Sequence, residues 1–278
     1  MQNSTALPDL RMLPSAQLVP HEDVDPRRVE NLSKRLLEES ILKNPPVVAQ
    51  VPDMERFVVL DGANRTMAFQ RVRIPHIVAQ VVSYNDPGVT LETWHHVVSG
   101  MPAETFEGAL ANLQGLELHA CQQDEARQAV ESGEAAAYMI NDGGARALVW
   151  QPGQQHSMLN GLRLIVGTYR GKADIIRASN DIWEIQKPCY PEITALVVFS
   201  RLKPEDILQA GRNGEKVPSG ITRHVVPTRA LNINIPIGIL MADMPLERKC
   251  QWLKDWWAER LTANAVRYYA EPTFSFNE

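Results

Sequence analysis

The chain has 278 residues, 44% of them hydrophobic, with 28 Lys and Arg against 33 Asp and Glu and a formal net charge of −5. Such a length allows a substantial core in two domains or one large one, and the acidic balance argues against coating nucleic acid or an anionic membrane over a broad face. No run reaches about 18 consecutive apolar residues and no basic-then-apolar pattern opens the sequence, which predicts a soluble cytoplasmic protein with no membrane partner.

Residues 1–13 carry no periodicity and read as a loosely held arm, followed by a short strand over 16–19 that Pro20 ends. Asp25-Pro26 is a helix start, with a side-chain acceptor at the cap and a proline where no N–H is needed. Val29, Leu32 and Leu36 then repeat at helical spacing, with Lys34, Arg35, Glu38 and Glu39 off that stripe. Pro45-Pro46 stops any continuation. The apolar runs 47–51 and 57–60, joined by Pro52-Asp53, read as central strands. A helix over 65–71 and a strand over 77–82 complete a strand and helix unit that Asn85-Asp86-Pro87-Gly88 closes.

Beyond it, 91–98 reads as helix and contains Trp94-His95-His96. Helices follow over 104–113 and 125–132, with strands over 116–118 and 136–140. Asn141-Asp142-Gly143-Gly144 turns the chain into a hairpin with 147–150, since Gly and Asn tolerate positive φ. A helix over 154–169, a buried strand over 194–199 and a short helix over 204–210 come next. The glycine-rich stretch from Gly211 to Thr222-Arg223-His224 reads as a loop, either an exposed connection or a ligand-binding one. A long terminal helix over 245–268 packs on the body or on a second subunit. Cys121, Cys189 and Cys250 have no zinc or redox spacing and read as reduced, buried thiols.

Polar groups stand where elements begin or end. At Asp61, Gly62, Ala63, Asn64 and Arg65 an apolar strand gives way to a helix start beside an arginine, which is the make-up of an anion site. A tight turn with an incidental arginine would look the same. Glu22, before a helix, reads equally as a solvated acid favourable to the helix dipole, and Trp94 as core packing. His95 and His96, adjacent on a helix, would point about 100° apart and chelate one ion poorly, so no metal-ligating set is assigned. Thr222, Arg223 and His224 are more specific, being three side chains able to hold phosphate or carboxylate.

Val19-Pro20-His21-Glu22, Asp25-Pro26-Arg27-Arg28-Val29, Ile41-Leu42-Lys43-Asn44-Pro45-Pro46 and the Leu60-Asp61-Gly62-x-x-Arg65 turn together resemble the ParB/sulfiredoxin-like fold. Within it the chain is most similar to the free L-serine kinases, in particular to a bacterial siderophore-pathway branch described as haem-sensitive. The resemblance extends through Trp94 and Thr222-Arg223-His224-Val225-Val226-Pro227 and ends near Leu240. It implies an α+β fold: a ParB/sulfiredoxin-like nucleotide-binding domain over 1–88, an α+β domain over 89–244 that completes the substrate pocket, and a C-terminal helical extension over 245–278. It also implies transfer of a phosphoryl group from ATP or ADP, with Mg2+, to the hydroxyl of L-serine. Glu22 matches the family's catalytic glutamate; Asp61, Gly62, Ala63, Asn64 and Arg65 match its phosphate turn; Trp94, Thr222, Arg223 and His224 match its substrate residues. Ala63-Asn64 stand where archaeal members carry two histidines, which bears on the choice of nucleotide, and neither supplies the cysteine of sulfiredoxin. The ParB-type Gly-x-Arg-Arg turn and helix-turn-helix are absent from the sequence. A homodimer through the terminal helix is the expected assembly. The alternative is a nucleotide- or haem-responsive regulator without kinase activity, with His95, His96 or Cys189 as candidate haem ligands.

Overall fold

The computed structural model describes residues 7–153 and 157–269. The chain opens with β1 (Leu10–Pro14), a 3-10 turn (Ser15–Gln17) and β2 (Leu18–Pro20). There follow α1 (Pro26–Glu39), β3 (Ile41–Leu42), β4 (Val47–Gln50), β5 (Phe57–Asp61), α2 (Ala63–Arg71) and β6 (His76–Val82). Next come β7 (Thr90–Thr93), β8 (His95–Ser99), α3 (Ala103–Ala111), β9 (Leu116–Cys121), α4 (Gln123–Ser132), β10 (Ala135–Asn141) and β11 (Gly144–Trp150). The rest comprises α5 (Met158–Tyr169), β12 (Asp174–Ala178), α6 (Trp183–Cys189), β13 (Ile193–Phe199), α7 (Pro204–Asn213), β14 (Thr222–Val225), β15 (Ile235–Pro236), α8 (Ile237–Met241) and α9 (Leu246–Thr262). The architecture is α+β, as expected.

Among the described residues, one five-stranded sheet has the order β1-β6-β4-β5-β2 and one six-stranded sheet the order β12-β8-β13-β10-β11-β9. In the first, β4 and β5 form an antiparallel hairpin, while β2 lies parallel to β5 and β4 parallel to β6. Val47, Val48, Val58 and Val59 are fully buried, so these strands are apolar on both faces and read as continuous runs rather than alternations. One apolar cluster joins Val47, Val58 and Leu60 of this sheet to Val98, Phe106, Val197 and Ile207. A shared core therefore fixes the two sheets against each other, and the ends of β2 and β5 face β14.

Helix α1 begins as the sequence predicts. The Asp25 carboxylate accepts from Arg27 N (2.8 Å) and Arg28 N (3.3 Å), and Val29 and Leu36 are buried. Other expectations are corrected. Residues 91–98 form β7 and β8, not a helix, because β7 pairs with β14 and β8 lies between β12 and β13; tertiary pairing overrides weak local preference. Thr222, Arg223 and His224 lie on β14, not in a loop. Helix α7 continues through Gly211, where a Cβ would stand 3.1 Å from Val58 Cβ; close packing there outweighs glycine's poor helix propensity.

The predicted strand over 16–19 is a 3-10 turn followed by β2. The predicted N-terminal arm is ordered over Leu10–Pro14, where it pairs with β6; residues 1–6 lie outside the described residues. So do 154–156, at the start of the helix predicted over 154–169, which begins instead after Ser157. Helix α9 stops at Thr262 rather than 268, and Asn264 adopts a left-handed φ of 51°. It packs on β1 with Lys249 and Leu253 buried. The cysteines are not buried: Cys189 is exposed, Cys121 and Cys250 half-buried. Strand β12 and helix α6 lack a clear periodic signal in the sequence.

Glycine inside α5 has a steric origin. A Cβ at Gly161 would stand 2.3 Å from Cη2 of Trp150, within a rigid ring. Gly161→Ala is expected to destabilise the protein by about 2 kcal/mol, the cost of overpacking a core, measured as a lower midpoint of urea unfolding. An unchanged midpoint would show that Trp150 yields without cost.

Candidate functional site

The parallel placement of β2 beside β5 sets the ends of both strands side by side. His21 and Glu22 follow β2, and Asp61 ends β5. The backbone of Glu22 forms a parallel bridge with Val217, and Asp23 N donates to Val217 O over 2.9 Å, which ties the segment before β14 to this end of the sheet. A cavity of about 660 Å3 opens there, lined by Glu22, Asp61, Gly62, Ala63, Asn64, Arg65, Trp94, Thr222, Arg223 and His224. All ten sequence-predicted site residues thus line one cavity.

Glu22 is half-buried and its carboxylate accepts a hydrogen bond from the Thr222 hydroxyl. Thr222 Oγ1 also lies 2.8 Å from Nε2 of His21, and the other ring nitrogen, Nδ1, faces the Val59 carbonyl at 2.5 Å. A carbonyl only accepts, so Nδ1 carries its hydrogen there. His21 is 1% exposed. Glu22 and His21 therefore share the Thr222 hydroxyl, which has one hydrogen to give, and His21 is anchored on the β5 backbone.

At the other wall Gly62 turns the chain with φ 89°, and α2 starts at Ala63 with no side chain capping it. A helix start of this kind presents backbone N–H groups and the positive end of its dipole. Asn64 Oδ1 accepts from Asp25 N (2.9 Å), which locks this turn to the start of α1. Arg65 Nη1 reaches the Pro45 carbonyl at 3.5 Å. Asp61 is paired with Arg229. Burial favours its neutral form, but Arg229 and then Arg65 hold the carboxyl below the usual range, so Asp61 is ionised in a wall otherwise rich in cations.

The third wall is β14 with its partner β7. Trp94 N donates to Ile221 O (2.7 Å), and the Arg223 guanidinium sits 4.5 Å from the Trp94 ring centroid while pairing with Glu92 at 3.1 Å. His224 Nε2 meets the Tyr84 hydroxyl at 2.7 Å, and its ring lies edge-on to His21. Burial, then the nearby His21, pushes His224 down to about 3, so it is a neutral group at ordinary pH. Sequence reasoning missed His21, Arg177 and Arg229 as site residues. His21 stands within the quoted Pro-His-Glu run, whereas Arg177 and Arg229 carry no local signal.

The adjacent histidines fall on a strand, where neighbouring side chains point to opposite faces. His96 Nε2 donates to the Gly220 carbonyl (3.1 Å), so Nδ1 accepts from the Tyr169 hydroxyl (2.8 Å); both ring nitrogens are engaged. Phe199 N donates to His95 Nδ1 over 3.4 Å. Among the described residues no cluster of three metal-ligating side chains occurs, and no described helix is long and apolar enough to cross a membrane.

Burial pushes His95 and His96 down to about 4. Below their ordinary value of 6.5 the unfolded chain takes up protons at these histidines that the folded protein refuses. Stability contributed by the neutral rings is therefore complete above that value and is lost as pH falls toward about 4. The urea midpoint is expected to decline through this window, and His96→Phe to flatten the decline; a midpoint constant across it would contradict the assignment.

No family model matches the chain. It is 23% identical over 273 residues to the ATP-dependent L-serine kinase SbnI of Staphylococcus aureus, covering 95% of this chain and 96% of that protein. It is 21% identical over 221 residues to the ADP-dependent L-serine kinase SerK of Thermococcus kodakarensis, covering 80% and 88% of the two. The solved structure of SbnI with a C-terminal truncation superposes with a TM-score of 0.74 at 20% identity, over 91% of this chain and 97% of that one. The fold is shared across nearly the whole chain, and the resemblance to free L-serine kinases extends over both sheets.

Proposed function

We propose that this protein is a kinase that transfers a phosphoryl group from ATP or ADP to the hydroxyl of free L-serine, giving O-phospho-L-serine. The observation that carries the proposal is the meeting of Glu22 with Thr222 in a cavity whose facing wall is the uncapped start of α2 beside Arg65. Phosphoryl transfer asks the protein for positioning, charge neutralisation and a place for the hydroxyl proton. Glu22 takes that proton as the serine oxygen attacks phosphorus and the donor's bridging P–O bond breaks. Backbone N–H groups of the 61–65 turn and Arg65 hold the nucleotide phosphates. Arg223, stacked on Trp94, faces the transferring group; Thr222 holds Glu22, and His224 lines the pocket as a neutral ring.

The donor set fits Mg2+ brought in with the nucleotide. Mg2+ needs one or two carboxylates besides phosphate oxygens, and ionised Asp61 supplies one beside the turn. The ion would neutralise developing phosphate charge. A reaction that draws on nucleotide and free amino acid belongs in the cytoplasm, and the proposal places it there. It also keeps the division into 1–88, 89–244 and 245–278, with the nucleotide held chiefly by the first part and the substrate by the second. Trp252, Trp256 and Trp257 stack along α9 and remain partly exposed, which supports a homodimer through this helix. Of the haem ligands considered for a regulator, His96 has both ring nitrogens engaged.

Purified protein incubated with L-serine, Mg2+ and either ATP or ADP is expected to yield O-phosphoserine. No product with either nucleotide would overturn the proposal, and comparison of the two identifies the donor.

A further inference from the structure

The segment from Gly220 to His224, a turn leading into β14, passes along the cavity. At its far end His224 lies near Asp61 and Leu60, on the side of the phosphate turn. At its middle Thr222 holds Glu22. At its near end Gly220, with φ 88°, lies against the guanidinium of Arg177: a Cβ there would stand 3.1 Å from Arg177 Nε and 3.4 Å from Nη2.

Arg177 sits on β12 opposite His96 and lines the cavity. Asp23 pairs with Arg170 and Glu92 with Arg223. His96, its neighbour beneath Gly220, is an uncharged ring that donates to the Gly220 carbonyl. Arg177 thus brings a guanidinium to the cavity with no carboxylate of the chain paired to it among the described residues. Along the 220–224 segment its contact, at Gly220, lies at the other end from the His224 contacts with Leu60 and Asp61, with the Thr222–Glu22 contact between them.

We infer that Arg177 binds the α-carboxylate of the amino-acid substrate and thereby selects hydroxy amino acids over amino alcohols and amides. The inference rests on the serine kinase reading. With the substrate hydroxyl at Glu22, a carboxylate directed toward Gly220 reaches Arg177 and leaves the other side of the hydroxyl open to phosphorus. A planar guanidinium can take both carboxylate oxygens at once. Gly220 has no side chain to stand between them. Arg223, stacked on Trp94, keeps its role at the transferring group.

The test compares wild type, Arg177→Gln and Arg177→Lys with L-serine and with L-serinamide, which keeps the hydroxyl and ammonium but lacks the carboxylate. Arg177→Gln is expected to raise KM for L-serine about thirtyfold, the usual worth of a charge-assisted contact. Nucleotide KM and melting temperature should be unchanged, the preference for L-serine over L-serinamide should largely vanish, and Arg177→Lys should restore part of it. An unchanged KM for L-serine in Arg177→Gln overturns the assignment. A rise in nucleotide KM in its place overturns it too, by assigning Arg177 to phosphate. Wild-type protein that forms no phosphoserine overturns the kinase reading itself, whereas an active wild type with an insensitive Arg177→Gln overturns only the carboxylate site.

Discussion

Glu22→Gln is expected to lower kcat for O-phosphoserine formation about a thousandfold, within the range that a positioned general base contributes, while nucleotide affinity stays intact. The amide has the size and shape of the carboxylate and can still accept from the Thr222 hydroxyl, so the cavity wall keeps its form. What the amide lacks is the capacity to receive a proton from the substrate hydroxyl. The effect therefore belongs in kcat. The proposal holds nucleotide at the 61–65 turn, against α2 rather than against Glu22, so its affinity by calorimetry should not follow the loss of turnover. A variant that keeps a tenth or more of the wild-type kcat would remove Glu22 from the role of base. A variant that loses nucleotide binding as well would make Glu22 part of the phosphate site.

The legible parts of this site are those with a local cause. Asp25-Pro26 announces α1 because a cap and a proline act within one turn, and the run ending at Asp61-Gly62 announces β5 and α2 because buried central strands admit no polar residue until they end. Thr222-Arg223-His224 stood out as a run of anion-holding side chains, whereas Glu22 and Trp94 were reached through resemblance, since nothing local separates them from a solvated acid and a core aromatic. What joins them is long-range pairing: Thr222 and Glu22 lie 200 residues apart in sequence, and β7 exists as a strand because β14 lies beside it. Before that pairing is known, residues 91–98 satisfy a helical reading as well as an extended one. Arg177 and Arg229 were invisible for the same reason. An arginine on an exposed edge strand and one in an irregular segment carry no period and no motif, and only the fold brings them to the cavity.

Gly62→Val tests the phosphate wall without removing a charged group. Gly62 has φ 89°, and an added Cβ would stand 3.2 Å from Pro46 Cα and 3.1 Å from Arg65 Nη1. The first contact is with backbone held in place by Pro45-Pro46 and β4, and it cannot turn aside as a side-chain end can. A β-branched residue at positive φ adds strain of about 1–3 kcal/mol. The turn can relieve both only by rotating out of the left-handed region, which would tilt the first turn of α2 and displace Arg65 from the wall. Nucleotide affinity is then expected to fall about a hundredfold, the equivalent of nearly 3 kcal/mol, with KM for L-serine little changed because Arg177, Thr222 and Glu22 belong to other elements. Wild-type nucleotide affinity in a folded Gly62→Val protein would mean that the phosphates lie elsewhere in the cavity. A comparable loss for serine would mean that the turn shapes both halves of the site. If the loss is confined to nucleotide, the glycine serves less to permit a tight bend than to keep Arg65 and the helix start aimed at one point.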